Sequence, residues 1–219
     1  MLDRILEPEV MDSPQEALDY DTMDHSAVNR VFVDDLLAVR PTPGDVLDLG
    51  TGTALIPVEL CKRETTCRVM AADAAESMLE LARYNVEAHG LIERIQLARV
   101  DAKRLGYVDD MFDTVMSNSI IHHIPEPGAV LAEAVRVTKP GGLLFFRDLL
   151  RPDDLATLNQ LVDTYAAGAN EHQRKMFAES LHAALTLDEV QDLIAPLGFA
   201  RDTVQATSDR HWTWSATKP

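Results

Sequence analysis

Val46-Leu47-Asp48-Leu49-Gly50-Thr51-Gly52-Thr53-Ala54 decides how the chain is read. Asp45 to Leu49 is a short apolar run carrying one acid near its end, the pattern of a buried strand. Gly50 and Gly52 then form a turn in which the backbone approaches a ligand closely, because no Cβ stands in the way. A helical stretch follows through Cys61. Strand, glycine turn and helix in that order present backbone groups at the carboxyl end of the strand. Two cofactor classes use such a turn. A dinucleotide fingerprint wants glycine at position 55 for close helix–strand packing, and Leu55 stands there, which points away from nicotinamide.

Outward from this turn, short apolar runs alternate with amphipathic segments. Arg68 to Ala72 reads as a second strand, with a helix from Ala75 to His89 closed by Gly90. Arg94 to Val100 is a third strand. Phe112 to Ser117 is a fourth, followed by a helix through Val137. Lys139 to Gly142 reads as a turn and Leu143 to Arg147 as a fifth strand. This alternation predicts crossover units and a mostly parallel sheet covered on both faces. Before it, Ala27 to Leu37 has helical spacing, capped by Asp24 or Ser26 and stopped by Pro41-Thr42-Pro43-Gly44. After it, Asp153 to Gly168 and Glu171 to Ala184 read as inserted helices. Leu187 to Leu197 is a further helix, with Thr186 and Glu189 forming a capping box. Phe199 to Ala206 and Arg210 to Ala216 read as two strands joined near Thr207-Ser208-Asp209, with Trp212 and Trp214 on one face. The expected fold is a three-layer α/β sandwich with a seven-stranded sheet and an antiparallel C-terminal hairpin. One domain spans 1–219: an N-terminal helical cap or lid (1–40), a cofactor-binding core (45–150), inserted helices over the substrate pocket (152–185), and a closing helix and hairpin (187–216).

The chain has 36 acidic against 20 basic residues, a formal charge of −16, and two cysteines, Cys61 and Cys67, in no metal-ligand spacing. The acidic excess repels a phosphate backbone and argues against a nucleic-acid partner. No apolar stretch approaches the roughly 20 residues a membrane span needs. The first residues lack an apolar signal core, so the cytoplasm is the expected compartment. Oligomeric state is left open.

The glycine turn resembles that of the class I S-adenosylmethionine-dependent methyltransferases, with their Rossmann-like domain. Asp48, Gly50 and Gly52 match the acidic-x-Gly-x-Gly-x-Gly motif, and Ala54 stands where the third glycine lies. Asp73 ends the second strand, where these enzymes hold the ribose hydroxyls with a carboxylate, and Ala74 to Leu79 looks like their following helix opening. Asp101-Ala102 resembles the pair that meets the adenine, and Asn118-Ser119 the segment lining the methionine end. The resemblance thus implies S-adenosylmethionine as cofactor, S-adenosylhomocysteine as product, and binding by Asp48, Gly50, Thr51, Gly52, Asp73, Ala74, Met78, Asp101, Ala102, Asn118 and Ser119. It covers about residues 45–147 and the final helix and hairpin.

Methyl transfer from a sulfonium is an in-line displacement, so positioning dominates, and a base is needed only when the acceptor must lose a proton. Ile120-Ile121-His122-His123-Ile124-Pro125 follows the fourth strand and offers two histidines. His122 is preferred over His123 as the catalytic residue, and at most one of the two is expected to act, since adjacent residues on one turn are not expected to face the same ligand. No third ligand stands at recognisable spacing, so no metal is expected. Tyr20 is a lid candidate. Arg147 is a candidate carboxylate or phosphate clamp, with an ion pair to Asp148 or to the acidic N-terminus as its structural alternative. His172, in Glu171-His172-Gln173-Arg174, is a candidate in the inserted helices. Small-molecule methylation on O, N, S or C is the leading function. The alternatives are a protein or tRNA methyltransferase, though no Asn-Pro-Pro-aromatic motif follows the fourth strand, and a cofactor-binding protein without turnover.

Overall fold

The apolar runs become neighbours in one sheet. The computed structural model describes residues 2–10, 12–13, 17–18, 21 and 26–219. Its strands are β1 (Asp45–Leu49), β2 (Arg68–Asp73), β3 (Ile95–Arg99), β4 (Phe112–Asn118), β5 (Thr138–Leu149), β6 (Val204–Ala206) and β7 (His211–Thr217), ordered β3-β2-β1-β4-β5-β7-β6. The first five run parallel, and β7 runs antiparallel between β5 and β6. Strand order reverses between β1 and β4, which opens a crevice above the carboxyl ends of those strands.

The helices are α1 (Ser26–Val39), α2 (Leu55–Arg63), α3 (Glu76–Ala88), α4 (Pro127–Val137), α5 (Leu155–Tyr165), α6 (Glu171–Ala183) and α7 (Leu187–Ile194). Alternation along each strand divides the core into two halves. Val46, Val69, Met116 and Phe145 pack with Phe32, Val58 and Ala82 of α1, α2 and α3. Leu47, Val115, Phe146, Trp212 and Trp214 pack on the opposite face with Leu131, Val190 and Ile194 of α4 and α7. The result is three layers. Both tryptophans are fully buried, and the Trp214 ring meets Phe199 edge-on at 5.2 Å between centroids. Helices α5 and α6 form a satellite core of Leu158, Leu161, Val162 and Leu181 against Leu149.

Local chemistry sets many of the boundaries. The Asp154 side chain accepts from Thr157 N at the start of α5. Reciprocal capping boxes open α6 (Asn170 with Gln173) and α7 (Thr186 with Glu189). Three expectations need correction. Lys139 to Gly142 is not a separate turn; it lies within β5, because Gly141 N donates to Lys218 O and Lys218 N to Gly142 O, which carries the ladder onward. The extra length is absorbed as a register shift between the Phe112–Thr138 and Thr114–Leu143 pairs. Phe199 to Thr203 is not strand: Arg201–Thr203 is a 3-10 turn whose Thr203 N and hydroxyl both donate to Ala200 O. Helix α7 ends at Ile194, and Ala195–Leu197 finishes as a 3-10 turn.

Candidate active site

Four loops at the carboxyl edge of the sheet surround a cavity of about 320 Å³. After β1 it is bordered by Gly50 and Gly52, after β2 by Asp73, Ala74, Ala75 and Met78, after β3 by Val100, Asp101, Ala102 and Lys103, and after β4 by Asn118, Ser119, Ile120, His123 and Ile124. Every residue expected to hold the cofactor borders it except Asp48 and Thr51. Those two line a cleft of about 20 Å³ on the other side of the glycine turn, with Asn29 and Thr53. The turn separates the two spaces, so Asp48 acts behind the backbone that borders the cavity.

Asp73 joins the first two loops. Its Oδ2 accepts from Gly52 N at 2.8 Å and its Oδ1 from Ala75 N at 2.9 Å. Burial raises the Asp73 pKa in spite of these bonds, so its remaining acceptor capacity is poorly hydrated and available to a ligand hydroxyl. Gly50 has φ +71°, and a Cβ there would stand 1.8 Å from Ile120 Cγ2. Only glycine lets the β1 turn pass beneath the β4 loop. Ala54 holds φ +61° in the slot of the third glycine, and Ser119 on the cavity wall does the same. Such a conformation costs a non-glycine residue roughly 1–2 kcal/mol. Asp101 receives Lys103 N at 2.9 Å and forms an ion pair with Lys103 Nζ at 3.0 Å. Lys103 also pairs with Glu9.

Glu9 and Val10 complete the wall from a strap of chain crossing the sheet edge. Arg4 anchors this strap, donating to Ala183 O at 2.7 Å, His122 O at 3.1 Å and Ile124 O at 3.0 Å. Ile5 N donates to His182 O at 3.2 Å, and Asp12 accepts from Ser77 N at 3.1 Å. The strap thereby joins α6, the turn after β4 and the start of α3.

The two histidines lie on a 3-10 turn, Ile121–His123. Asp148, at the end of β5, pins the first of them. Its Oδ2 accepts from Ile121 N at 2.5 Å, and its Oδ1 lies 2.5 Å from His122 Nδ1. His122 is 3% exposed and stands behind the cavity wall; His123 lines the cavity. The placement therefore reverses the order of preference drawn from the sequence. The two rings nevertheless stack, with centroids 4.1 Å apart, and both reach Glu7 Oε1: His122 Nε2 at 3.5 Å and His123 Nδ1 at 3.1 Å. Both rings thus reach one carboxylate, while only His123 lines the cavity. Glu7 is also the third potential ligand that sequence spacing did not offer, and the three ligand atoms lie within 4.8 Å of one another. Arg4 and His122 stand beside the Glu7 and Asp148 carboxylates, so we read the cluster as a proton site. Burial opposes the His122 cation, but the Asp148 and Glu7 carboxylates outweigh it and the pKa rises. Asp148 is held low by His122 against the cost of its own burial. Burial and the neighbouring His122 push His123 down to about 3. Burial raises Glu7.

Two further candidates fall away from the cavity. Arg147 is committed to α1: its Nη2 pairs with Asp35 Oδ2 at 2.7 Å, its Nε donates to Thr213 Oγ1 at 2.9 Å, and its guanidinium lies 5.8 Å from the Phe32 ring centroid. His172 is exposed on α6. Tyr20 lies outside the described residues. Sequence reading missed Glu7, Glu9, Val10 and Lys103; the acids and the lysine become meaningful only once the strap is laid across the sheet edge.

Residues 47–146 match the family described as a methyltransferase domain, and with the relative described next the chain belongs to the class I S-adenosylmethionine-dependent methyltransferases. Among curated relatives, the demethylmenaquinone methyltransferase of Mycolicibacterium paratuberculosis is 32% identical over 169 residues, covering 72% of this chain and 69% of that protein. The methyltransferase GfsG of Streptomyces halstedii is 36% identical over 115 residues, 51% of this chain and 41% of its own length. The plantazolicin methyltransferase BpumL, crystallised with a monoazolic desmethylPZN analog and SAH, is similar in fold with a TM-score of 0.72 at 13% identity, covering 93% of this chain and 89% of its own. The chain spans less than half the length of the first curated relatives it matches.

Proposed function

We propose that this chain transfers a methyl group from S-adenosylmethionine to a small molecule held under the N-terminal strap. The observation that carries this is one cavity bordered by four strand-end loops, with the Asp73 carboxylate at one side and His123 at another. Asp73 would hold the ribose hydroxyls. Asp101 and Ala102, with Val100 and Met78, would hold the adenine, and Gly50, Gly52, Asn118 and Ser119 the amino-acid end. The residues present fit that group, since the acid is half-buried with acceptor capacity left and the adenine slot is largely apolar. When bound, the cofactor supplies an electrophilic methyl on a sulfonium. The chain's own share is to align the acceptor and exclude water, and Glu9 and Val10 close the cavity toward that end.

The strap narrows the cavity on one side with Glu9 and Val10, which favours a small acceptor over a macromolecule. The formal charge of −16 also weighs against tRNA. The relative named as a demethylmenaquinone methyltransferase supports the small-molecule reading. Among the described residues no helix is long and apolar enough to cross a membrane, and the cytoplasm is the compartment we propose. The test is transfer of tritiated methyl from S-adenosylmethionine into a cell extract separated into metabolite, protein and tRNA fractions. Label in the metabolite fraction is expected. Label confined to protein or tRNA would give the function to the macromolecular alternative, and no label with cofactor bound would favour a binding protein without turnover.

A further inference from the structure

Four titratable groups from three parts of the chain meet behind the cavity wall, with His123 alone lining it. Glu7 comes from the strap, His122 and His123 from the turn after β4, and Asp148 from the end of β5. We infer, resting on the function proposed above, that Glu7 and His123 form a base dyad for an acceptor that carries a hydroxyl, as a phenol, enol or alcohol, and that the Asp148–His122 pair holds Glu7 in position for it.

The hydrogen bonds lead to this assignment. His123 Nδ1 and Glu7 Oε1 are both buried, make no aligned hydrogen bond and stand 3.1 Å apart, with the Pro8 backbone also against the His123 ring. One proton between them satisfies both. With that proton on Nδ1, the other ring nitrogen carries a lone pair. His123 is the one member of the cluster that lines the cavity. Glu7 is also met by Ser180 Oγ, 3.3 Å from Oε2, and by His122 Nε2, 3.5 Å from the same Oε1, with His122 itself fixed by Asp148. The remaining charged groups around the cluster are Arg4 on the strap and Glu179 on α6. The wall beside His123 is apolar, formed by Ile120, Ile124 and Val10.

A neutral amine or a thiolate attacks a sulfonium methyl unaided, whereas a hydroxyl is a weak nucleophile until its proton leaves. S-adenosylmethionine supplies the methyl and keeps the carbon–sulfur electron pair as it becomes the thioether. The acceptor oxygen forms the new bond to carbon, and its proton passes to the free nitrogen of His123. The proton on Nδ1 moves to Glu7, so the positive charge lost at sulfur ends as one proton on the carboxylate, released to water when the product leaves. Burial, which keeps His123 neutral and raises Glu7, makes the carboxylate the resting place of that proton. His123 is the catalytic residue of this scheme, and Glu7, His122 and Asp148 position it or relay its proton.

The test begins with histidine tautomers in the full-length 15N-labelled protein at pH 7, with S-adenosylhomocysteine and EDTA present. His123 is expected neutral with the proton on Nδ1. In Glu7→Gln, whose amide donates instead, the proton is expected on Nε2. A wild-type His123 that is doubly protonated, or protonated on Nε2, overturns the dyad, and this measurement needs no acceptor. Methyl transfer to catechol, a secondary alcohol, benzylamine and thiophenol then reads the acceptor class. Transfer to the hydroxyl probes is expected, falling about 100-fold in Glu7→Gln while S-adenosylhomocysteine affinity stays within about twofold. Equal rates in the variant, or transfer confined to the amine or thiol, overturn the assignment. Failure of the wild-type protein to bind S-adenosylhomocysteine removes instead the reading on which it rests.

Discussion

Asp48 sits inside β1 at 3% exposure and touches no base. Burial, opposed by the Thr51 hydroxyl and reinforced by the charge of Asp73, raises its carboxyl to about 7. The folded chain therefore keeps a proton between the ordinary aspartate value of 3.8 and about 7 that the unfolded chain has released. Its contribution to stability is present below that window and is lost as pH rises through it. Asp48→Asn should melt less pH-dependently, gaining thermal midpoint at pH 8 relative to wild type and little at pH 4. Equal shifts at both values would show that Asp48 is ionised throughout. The acid was visible in the motif, but its task was not, because the strand alternation that turns it from the cavity toward α1 and α2 also buries it.

At the scale of elements, Arg147 shows where a plausible motif misleads. It follows an apolar strand at the functional edge, as a substrate clamp would, yet alternation with Asp148 sends the two side chains to opposite faces. Asp148 meets the histidine turn, and Arg147 ties α1 to β5 through Asp35. Arg147→Met should lower stability by about 1.5–3 kcal/mol in urea titration, through lost charged hydrogen bonds, and leave S-adenosylhomocysteine affinity unchanged. A stable variant would free Arg147 for another role. The elements most legible in sequence were those set locally. β1 spans the expected residues, and the Thr186–Glu189 box opens α7 where it was read. Less legible were features fixed by partners far along the chain. Gly141 and Gly142 joined β5 through Lys218, His122 and His123 were oriented by Asp148 and Glu7, and the strap residues Glu7 and Glu9 gained their meaning only across the sheet edge.

The whole molecule joins a strongly acidic surface to a sheet edge where loops from four parallel strands meet. The order β3-β2-β1-β4-β5 puts the reversal of strand order at the glycine turn. The motif therefore told both the fold and the place of the cavity, while the strap that completes the wall had to be seen in space. Asp73 is the residue in which these scales meet, binding the β1 turn, the α3 start and the cavity at once. Calorimetric titration with S-adenosylhomocysteine, in wild type and in Asp73→Ala, with NADH as control, tests the central claim most directly. The account predicts saturable binding of S-adenosylhomocysteine, no binding of NADH, and an affinity loss in the variant of about 1.5–3 kcal/mol for each charged hydrogen bond removed. Binding of NADH alone, or equal affinity in Asp73→Ala, would contradict it.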